Sequence, residues 1–487
     1  MRGLSKLIQD LRNQGYEATI GLEVHVQLNT ESKIFASDPN LSDSEPNTDI
    51  GVITLGHPGT LPVLNKRVLE KAILMGLACG SSITRENHFA RKSYFYPDLP
   101  KGYQTTQDKT PICMGGHVEL VEEYLLQEAV SLHHIHMEED AGKSIHDEGH
   151  DTWIDLNRAG SPLIEIVTNP SILGPNEAAI FLQEVRRIVR FLGISEANME
   201  KGEFRCDANI SIKPLGIEQL GRKVEIKNMN SFNHVRKAIS FEIERQLDLA
   251  LNDGIIEEET RTFDPNTGKT SGMRFKETMN DYRYFPCPDL PPVILDDELL
   301  EELKSRSQKV PAYYRRRFSH DYQLSDYDIQ LLVEEKEISE AFLWLCEKGV
   351  NPKKTANWIN GPYKGFLNES GQDFSDISQM QLFDLLKLLE SGKLMSASVK
   401  KDLLPVLVKS DREVQILAKE LNLLLSEDNS SLESVVESVL LSLPQEVASY
   451  KRGKKKLFGL FMGEVMKKSR GKANPKDVKS MLIEQLK

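Results

Sequence analysis

Between Arg205 and His234 the order of residues commits the chain to two paired strands. Arg205, Asp207, Asn209, Ser211 and Lys213 alternate with Cys206, Ala208, Ile210 and Ile212, the period of two that sends one set of side chains to a core and the other to solvent. A turn rich in proline and glycine runs from Pro214 to Gly221, after which Lys223, Glu225 and Lys227 alternate with Val224 and Ile226. This spells a hairpin. Nearer the amino terminus Ile20, Leu22, Val24, Val26 and Leu28 alternate in the same way with Thr19, Gly21, Glu23, His25 and Gln27. Asp207 and Asn209 therefore share a face, and so do Glu23 and His25.

Strands that keep an apolar side on the core and a carboxylate-bearing side outward can form a concave, oxygen-lined surface on a rigid sheet. Such a surface suits a hard cation such as magnesium, which takes oxygen ligands and keeps water for substrate phosphates. The same alternation also describes an ordinary solvated sheet face, and periodicity alone does not choose between them.

A chain of 487 residues exceeds a single core, so two or three domains are expected. Its 39% hydrophobic and 28% charged residues are those of a soluble globular protein, and no apolar run approaches the roughly 20 residues needed to cross a bilayer. The opening MRGLSKLIQDLRNQ spaces Leu4, Leu7, Ile8 and Leu11 as a helix would but carries Asp10 and lacks the apolar centre of a signal peptide, so it reads as a short surface helix. Five cysteines, Cys79, Cys113, Cys206, Cys287 and Cys346, lie scattered without a CxxC pair, which fits a reducing cytoplasm better than a disulfide framework.

The net charge of −12 argues against nonspecific nucleic-acid binding by the whole molecule. From Lys451 onward, however, twelve basic residues face three acidic ones. A basic terminal module on an acidic body can grip a phosphate backbone, although a solvated basic helix face has the same composition.

The first 295 or so residues read as an α+β body with a mixed or largely antiparallel sheet, because no regular βαβ alternation appears. Helices interrupt it from Pro175 to about Leu192, stopped by Gly193, and from about Ser231 to Leu251. The proline-rich FPCPDLPPV, Phe285 to Val293, reads as an extended connector. Residues 296–410 follow as a helical domain, and 411–487 as a small helical tail in which Asn474 and Pro475 form a helix start.

Several blocks together resemble the B-subunit family of the aspartyl/glutamyl-tRNA(Asn/Gln) amidotransferases. They include IGLEVHVQL (Ile20 to Leu28), YFYPDLPKGYQ (Tyr94 to Gln104), HMEEDAGKS (His136 to Ser144), DLNRAGSPLIEIVT (Asp155 to Thr168), RCDANISI, VEIKNMNSF, DYRYFPCPDLPP (Asp281 to Pro292) and GKANP (Gly471 to Pro475), and they cover nearly the whole chain in order. The resemblance implies a glutamine-synthetase-like catalytic cradle, then an all-α middle domain and a small α-helical tail that grips tRNA. It also implies an activity in which ATP and magnesium phosphorylate the side-chain carboxylate of Glu-tRNA(Gln) or Asp-tRNA(Asn). Ammonia then displaces the phosphate. Family members obtain ammonia from a separate amidase subunit, tied to the B-subunit by a small third subunit in a heterotrimer.

Carried over by motif, the metal ligands would be Glu23, His25, Glu139, Asp207 and Glu225, with His25 and Glu139 also catalytic. Glu139 is the candidate for accepting a proton from ammonium or gating ammonia. It follows less simply than the others, since strand alternation groups His134, His136 and Glu138 on one side and leaves Glu139 on the other. The strand is read as ending there, and the motif is taken over the parity. Arg91, Lys92, Lys101, Arg205 and Lys223 lie in or beside the blocks as basic residues able to meet nucleotide phosphates; Lys92, Arg205 and Lys223 are the expected ATP ligands, Lys92 first because it precedes YFYPD.

Many members of the family carry a cysteine-bearing zinc knob after the first strand. The matching stretch here has Ala36, Asp38, Gly51 and Thr54, so no zinc is expected. A glutamine-hydrolysing module would need its own nucleophile, and the chain has no amidase-like GGSSGGS segment. Cys79 and Cys113 sit near glycines but read as small buried hydrophobes. Two other functions are compatible with parts of the pattern, a noncatalytic tRNA-binding scaffold and a free-standing glutamine-synthetase-like ligase. The full set of acidic ligands opposes the first, and the basic tail the second.

Overall fold

The computed structural model describes residues 6–41, 44–122, 125–146, 151–273, 282–425, 429–469 and 475–486. The chain divides into two compact units, Met1–Tyr313 and Tyr314–Lys487. The first is α+β and the second helical.

A ten-stranded sheet organises the first unit. Its strands in chain order are β1 (Tyr16–Gln27), β2 (Ser82–Ile83), β3 (Cys113–Met114), β4 (His117–Glu119), β5 (Ala129–Glu139), β6 (Pro162–Thr168), β7 (Phe204–Pro214), β8 (Val224–Lys227), β9 (Thr260–Asp264) and β10 (Lys269–Gly272). Across the sheet they run β10-β9-β8-β7-β1-β6-β5-β3-β2, with β4 also paired to β5. β8 and β9 pair in parallel. That pairing needs a crossover too long for a tight turn, and the helix Phe232–Leu251 supplies it.

The alternation read in the sequence is realised as burial. Ile20, Leu22, Val24 and Val26 of β1, Ala208 and Ile210 of β7, and Ile164 and Ile166 of β6 all enter one core. Two helices close that side. Pro175–Phe191 contributes Phe181, Leu182, Val185 and Val189, and Phe232–Leu251 contributes Val235, Ala238, Ile239 and Ile243. Each such side chain is worth about 1.5–3 kcal/mol when taken from water, which fixes which face of the sheet is left for polar residues. Gly193 ends the first helix in the left-handed conformation at φ 65°. The Ser231 side chain caps the second by accepting from the His234 N–H. From that second helix the buried Gln246 reaches β7, accepting from Ile212 N–H at 3.1 Å and donating to Ile210 C=O at 3.1 Å.

The helix Lys6–Asn13 forms as expected, but Ile8 and Leu11 are core residues, so its apolar stripe anchors it to the body. The proline-rich segment is extended and also pinned at both ends. Phe285–Pro286 pairs with Ala90–Ser93, and Val293–Ile294 pairs with Glu86–Asn87. The body consequently runs past residue 295, and the helix Asp297–Arg306 sets Leu303 into the same core.

In the second unit the helices Asn429–Ser442, Phe458–Lys468 and Pro475–Gln485 share a small core of Val436, Val439, Phe461, Val465, Val478 and Leu482. The expected cap Asn474 and most of the GKANP block lie outside the described residues. Among the described residues no helix is long and apolar enough to cross a membrane.

Candidate functional site

The face of the sheet turned away from the two covering helices is polar, and strand pairing concentrates its charges. Glu23 lies opposite Asp207, His25 opposite both Arg205 and Glu165, Glu165 opposite His136, and Asn209 opposite Glu225. Directly opposed residues of an antiparallel pair project to the same side. Five adjacent strands thus deliver their polar side chains to one surface.

Two groups of ligands result. In the first, oxygens of Glu23, Asp207 and Glu225, from β1, β7 and β8, lie within 4.8 Å of one another. Asn209 Nδ2 donates to Glu23 Oε1 at 3.0 Å, and the Thr260 hydroxyl donates to Glu225 Oε2 at 2.9 Å. Lys227 Nζ donates to Asp207 Oδ2 at 2.5 Å and stands 3.4 Å from Glu225 Oε1. Burial and the neighbouring carboxylates Glu165, Asp207 and Glu225 raise the pKa of Glu23. The single charge of Lys227 does not balance three carboxylates.

In the second, His25 Nε2 stands 3.5 Å from Glu138 and 3.4 Å from Glu165, with His136 Nε2 3.6 and 3.3 Å from the same two carboxylates. Burial disfavours a charged His25, but Glu165 and Glu138 outweigh it and lift its pKa to about 9. Glu165 is held well below the usual carboxylate range, because His136 and His25 overcome the effect of its burial. His134 Nε2 continues the row, 3.0 Å from His136 Nδ1. The first group offers only oxygen and suits magnesium; the second mixes oxygen with imidazole nitrogen, a donor set open to a wider range of divalent ions.

Of the residues expected at the site, the structure brings Glu23, Asp207 and Glu225 together and sets His25 beside them in the second group. Glu139 stands apart. Strand β5 does end at Glu139, yet the alternation holds through that last residue and turns its side chain away from Glu138. There the nearly buried Glu139 accepts from Lys101 Nζ at 2.6 Å and from the Thr105 N–H at 2.7 Å. Arg205 lies on the polar face and donates to Asp140 at 2.6 Å. The Lys92 ammonium sits 4.9 Å from the Tyr282 ring centroid; burial opposes its charge, while Tyr284, Glu138 and Glu165 favour it. Lys223 is exposed just ahead of β8.

Glu138, Glu165, His136 and Lys227 complete the two groups and were not singled out from the sequence. Alternation had placed His136 with Glu138 and Lys227 with Glu225. Glu165 had a signal as well, as the one charge in the apolar strand PLIEIVT.

At the positions matching the zinc knob, the Thr54 hydroxyl donates to Asp38 at 2.6 Å, and Gly51 packs so closely on Asp38 that a Cβ there would meet its carboxylate at 2.2 Å. Cys79 and Cys113 are buried; burial pushes the Cys79 thiol up to about 12 and Cys113 higher still, opposite to what a nucleophile needs.

The unit that carries this polar sheet face matches the GatB/GatE catalytic domain over residues 18–301, and a GatB domain matches residues 340–486. The chain is 42% identical over 474 residues to the aspartyl/glutamyl-tRNA(Asn/Gln) amidotransferase B-subunit of Thermodesulfovibrio yellowstonii, covering 97% of this chain and 99% of that protein. It is 44% identical over 479 residues to the protein of the same description from Persephonella marina, covering 97% and 100%. The Chlorobium luteolum counterpart is 43% identical over 473 residues, with 97% and 99% covered. The chain belongs to the B-subunit family of the aspartyl/glutamyl-tRNA(Asn/Gln) amidotransferases.

Proposed function

We propose that this chain uses ATP to phosphorylate the side-chain carboxylate of Glu-tRNA(Gln) or Asp-tRNA(Asn), and that ammonia then displaces the phosphate to give Gln-tRNA(Gln) or Asn-tRNA(Asn). The observation that carries the reading is the convergence of Glu23, Asp207 and Glu225, from three neighbouring strands, onto one oxygen-lined spot. A carboxylate oxygen is a poor leaving group, and an acyl phosphate supplies a good one. Phosphoryl transfer asks the protein for positioning and charge neutralisation rather than covalent help, and a packed sheet holds its side chains rigidly enough to give both.

Glu23, Asp207 and Glu225 would hold magnesium, with His25, Glu138 and Glu165 as a second position; the ion supplies charge neutralisation at phosphate oxygens. Lys92 and Arg205 flank the second group and are the ATP-phosphate ligands this reading favours. Lys223 is a weaker one, being exposed at the margin. Glu139, on the other side of β5 and paired with Lys101, takes the role of receiving a proton from ammonium or gating ammonia.

The catalytic cradle, glutamine-synthetase-like in this reading, takes in residues 1–295 and runs on through the helix Asp297–Arg306 packed on the same core; a helical domain follows to about residue 410, and 411–487 is the tRNA-gripping tail. Burial of Cys79 and Cys113, the two cysteines set near glycines, with thiols raised by it, supports an external source of ammonia, a separate amidase chain held by a small third chain in a cytoplasmic heterotrimer. Expected at the working site are ATP and magnesium, with no zinc.

The reading is tested by assaying the assembled complex on both mischarged tRNAs. Asp207→Ala should fold and abolish amide formation while glutamine hydrolysis by the partner persists, and deletion of residues 411–487 should weaken tRNA binding and spare ATP binding. Full transamidation by Asp207→Ala would show that the assigned site does not carry the reaction.

A further inference from the structure

The loop between Ser93 and Tyr103 presents aromatic side chains to solvent in a fixed arrangement. Phe95 is 78% exposed and Tyr96 60%, unusual for rings whose burial is strongly favourable. The exposure comes from a tied loop: Tyr94 N–H donates to Gly102 C=O, Leu99 N–H to Tyr96 C=O and Gly102 N–H to Leu99 C=O. Phe95 lies so close to Gly102 that a Cβ there would meet its ring at 3.1 Å, at a backbone φ of +72° that itself favours glycine.

Behind the exposed pair the aromatics form a continuous row. The Tyr94 ring is edge-on to Tyr96 at 6.0 Å and to Tyr282 at 6.2 Å, and Tyr282 is edge-on to Tyr284 at 6.4 Å. The row meets the acidic face through Lys92, whose ammonium stands over Tyr282 at 4.9 Å and is drawn electrostatically to Glu138 and Glu165. A fixed aromatic surface therefore leads from the proposed phosphoryl-transfer site out to solvent, with a cation where the two join.

We propose that Phe95 and Tyr96 form a stacking platform for an unpaired nucleobase at the 3′ end of the RNA substrate, an assignment that rests on the tRNA-dependent function above. Aromatic faces stack bases of any identity, and a neighbouring cation holds the backbone phosphate. The openness of the platform selects the RNA over ATP. A mononucleotide requires an enclosed cleft to gain useful affinity, whereas an RNA already gripped elsewhere needs only one stacked base to bring its end into register. The reacting carboxylate is attached to that terminal nucleotide, so stacking its base positions the carboxylate toward the acidic ligands.

The test uses the full chain and a tRNA whose terminal adenine is replaced by 2-aminopurine, a base whose fluorescence falls on stacking. Wild-type protein should quench it. The Phe95→Ala/Tyr96→Ala variant should abolish the quench and raise the dissociation constant for the tRNA about tenfold, the scale of one lost base stack, with ATP affinity unchanged. Phe95→Trp/Tyr96→Phe should restore the quench. Persistence of the quench in the alanine variant overturns the platform, as does a loss of ATP affinity in place of RNA affinity. A chain that binds tRNA without quenching refutes the platform alone, and a chain that binds no tRNA refutes the function on which it rests.

Discussion

Lys227 pairs its ammonium with the Glu23–Asp207–Glu225 group, and replacing it by methionine removes that charge while keeping the length of the side chain. Two unit charges about 4 Å apart interact by ~4 kcal/mol at an effective dielectric constant of about 20. The Lys227 side chain is 36% exposed, so solvent screening reduces its contribution to about 1–2 kcal/mol. What remains is three carboxylates with oxygens within 4.8 Å, whose mutual repulsion falls on β7 and β8. Lys227→Met should therefore speed amide hydrogen exchange in residues 204–214 and 224–227 by a factor of about 5–30 in chelator. Millimolar magnesium should restore protection in the variant far more than it adds to wild type, because a divalent ion supplies the missing charge and binds the folded sheet alone. Hydrogen–deuterium exchange read by mass spectrometry resolves both strands. Equal exchange in wild type and variant under chelator, or an equal response of both to magnesium, refutes the claim that Lys227 and a cation serve the same carboxylates.

The His25 group gives a pH dependence of definite sign. Its pKa is raised from 6.5 to about 9, so its ion pairs contribute stability in full below about 6.5 and lose it as pH rises through about 9. A cation binds only the neutral imidazole, so manganese affinity at this group should climb toward pH 9 and then level off, and His25→Gln should flatten the rise; calorimetric titration of the full chain at several pH values measures it. Gln246→Leu strands the buried N–H of Ile212 and removes a second donor from the C=O of Ile210, which keeps its pairing with Val224. At about 1–3 kcal/mol for the unsatisfied N–H and about 1 kcal/mol for the other lost bond, a loss on the order of 2–4 kcal/mol is expected in urea unfolding, and a change no larger than that of a surface substitution would refute the bridging role. Lys101→Met leaves the carboxylate of Glu139 buried without its ammonium, so a loss of about 3–5 kcal/mol is expected in urea unfolding; a midpoint equal to that of wild type would refute the pairing.

Face assignments were legible in the sequence because the hydrophobic effect and the pleat share one period. Once Ile20, Leu22 and Val24 must be buried, Glu23 and His25 have no choice of side. Strand order was another matter. β6 inserts between β1 and β5 although it starts at Pro162, far along the chain from the start of β1 at Tyr16, and nothing local to PLIEIVT announces that neighbour. Glu165 could be known as an outward charge but not as the partner of His25, and Glu138 and His136 were hidden by the same missing pairing. Glu139 shows the reverse case. Alternation put it on the far side of β5, the motif argued for the metal face, and the structure places it on the far side, with Lys101.

The two ligand groups differ in chemistry because one strand serves both. Glu23 and His25 are alternate residues of β1, separated by two steps of about 3.3 Å, so cations held by the two groups would lie about 7 Å apart. Paired metal centres that act on a single oxygen stand about 3.5–4 Å apart. On that spacing, ions held at the two groups would not share one bridging atom, in keeping with the two positions proposed above. Arg205 opposes His25 and Lys227 pairs with Asp207, so each group has its own cation at its outer edge. In the acid-only group burial and then the neighbouring carboxylates raise the pKa of Glu23, whereas in the histidine group Glu165 and Glu138 raise that of His25 against the effect of burial. The two groups are also coupled, because Glu165 bears on Glu23 as well as on His25, so an ion at one would alter the charge felt at the other.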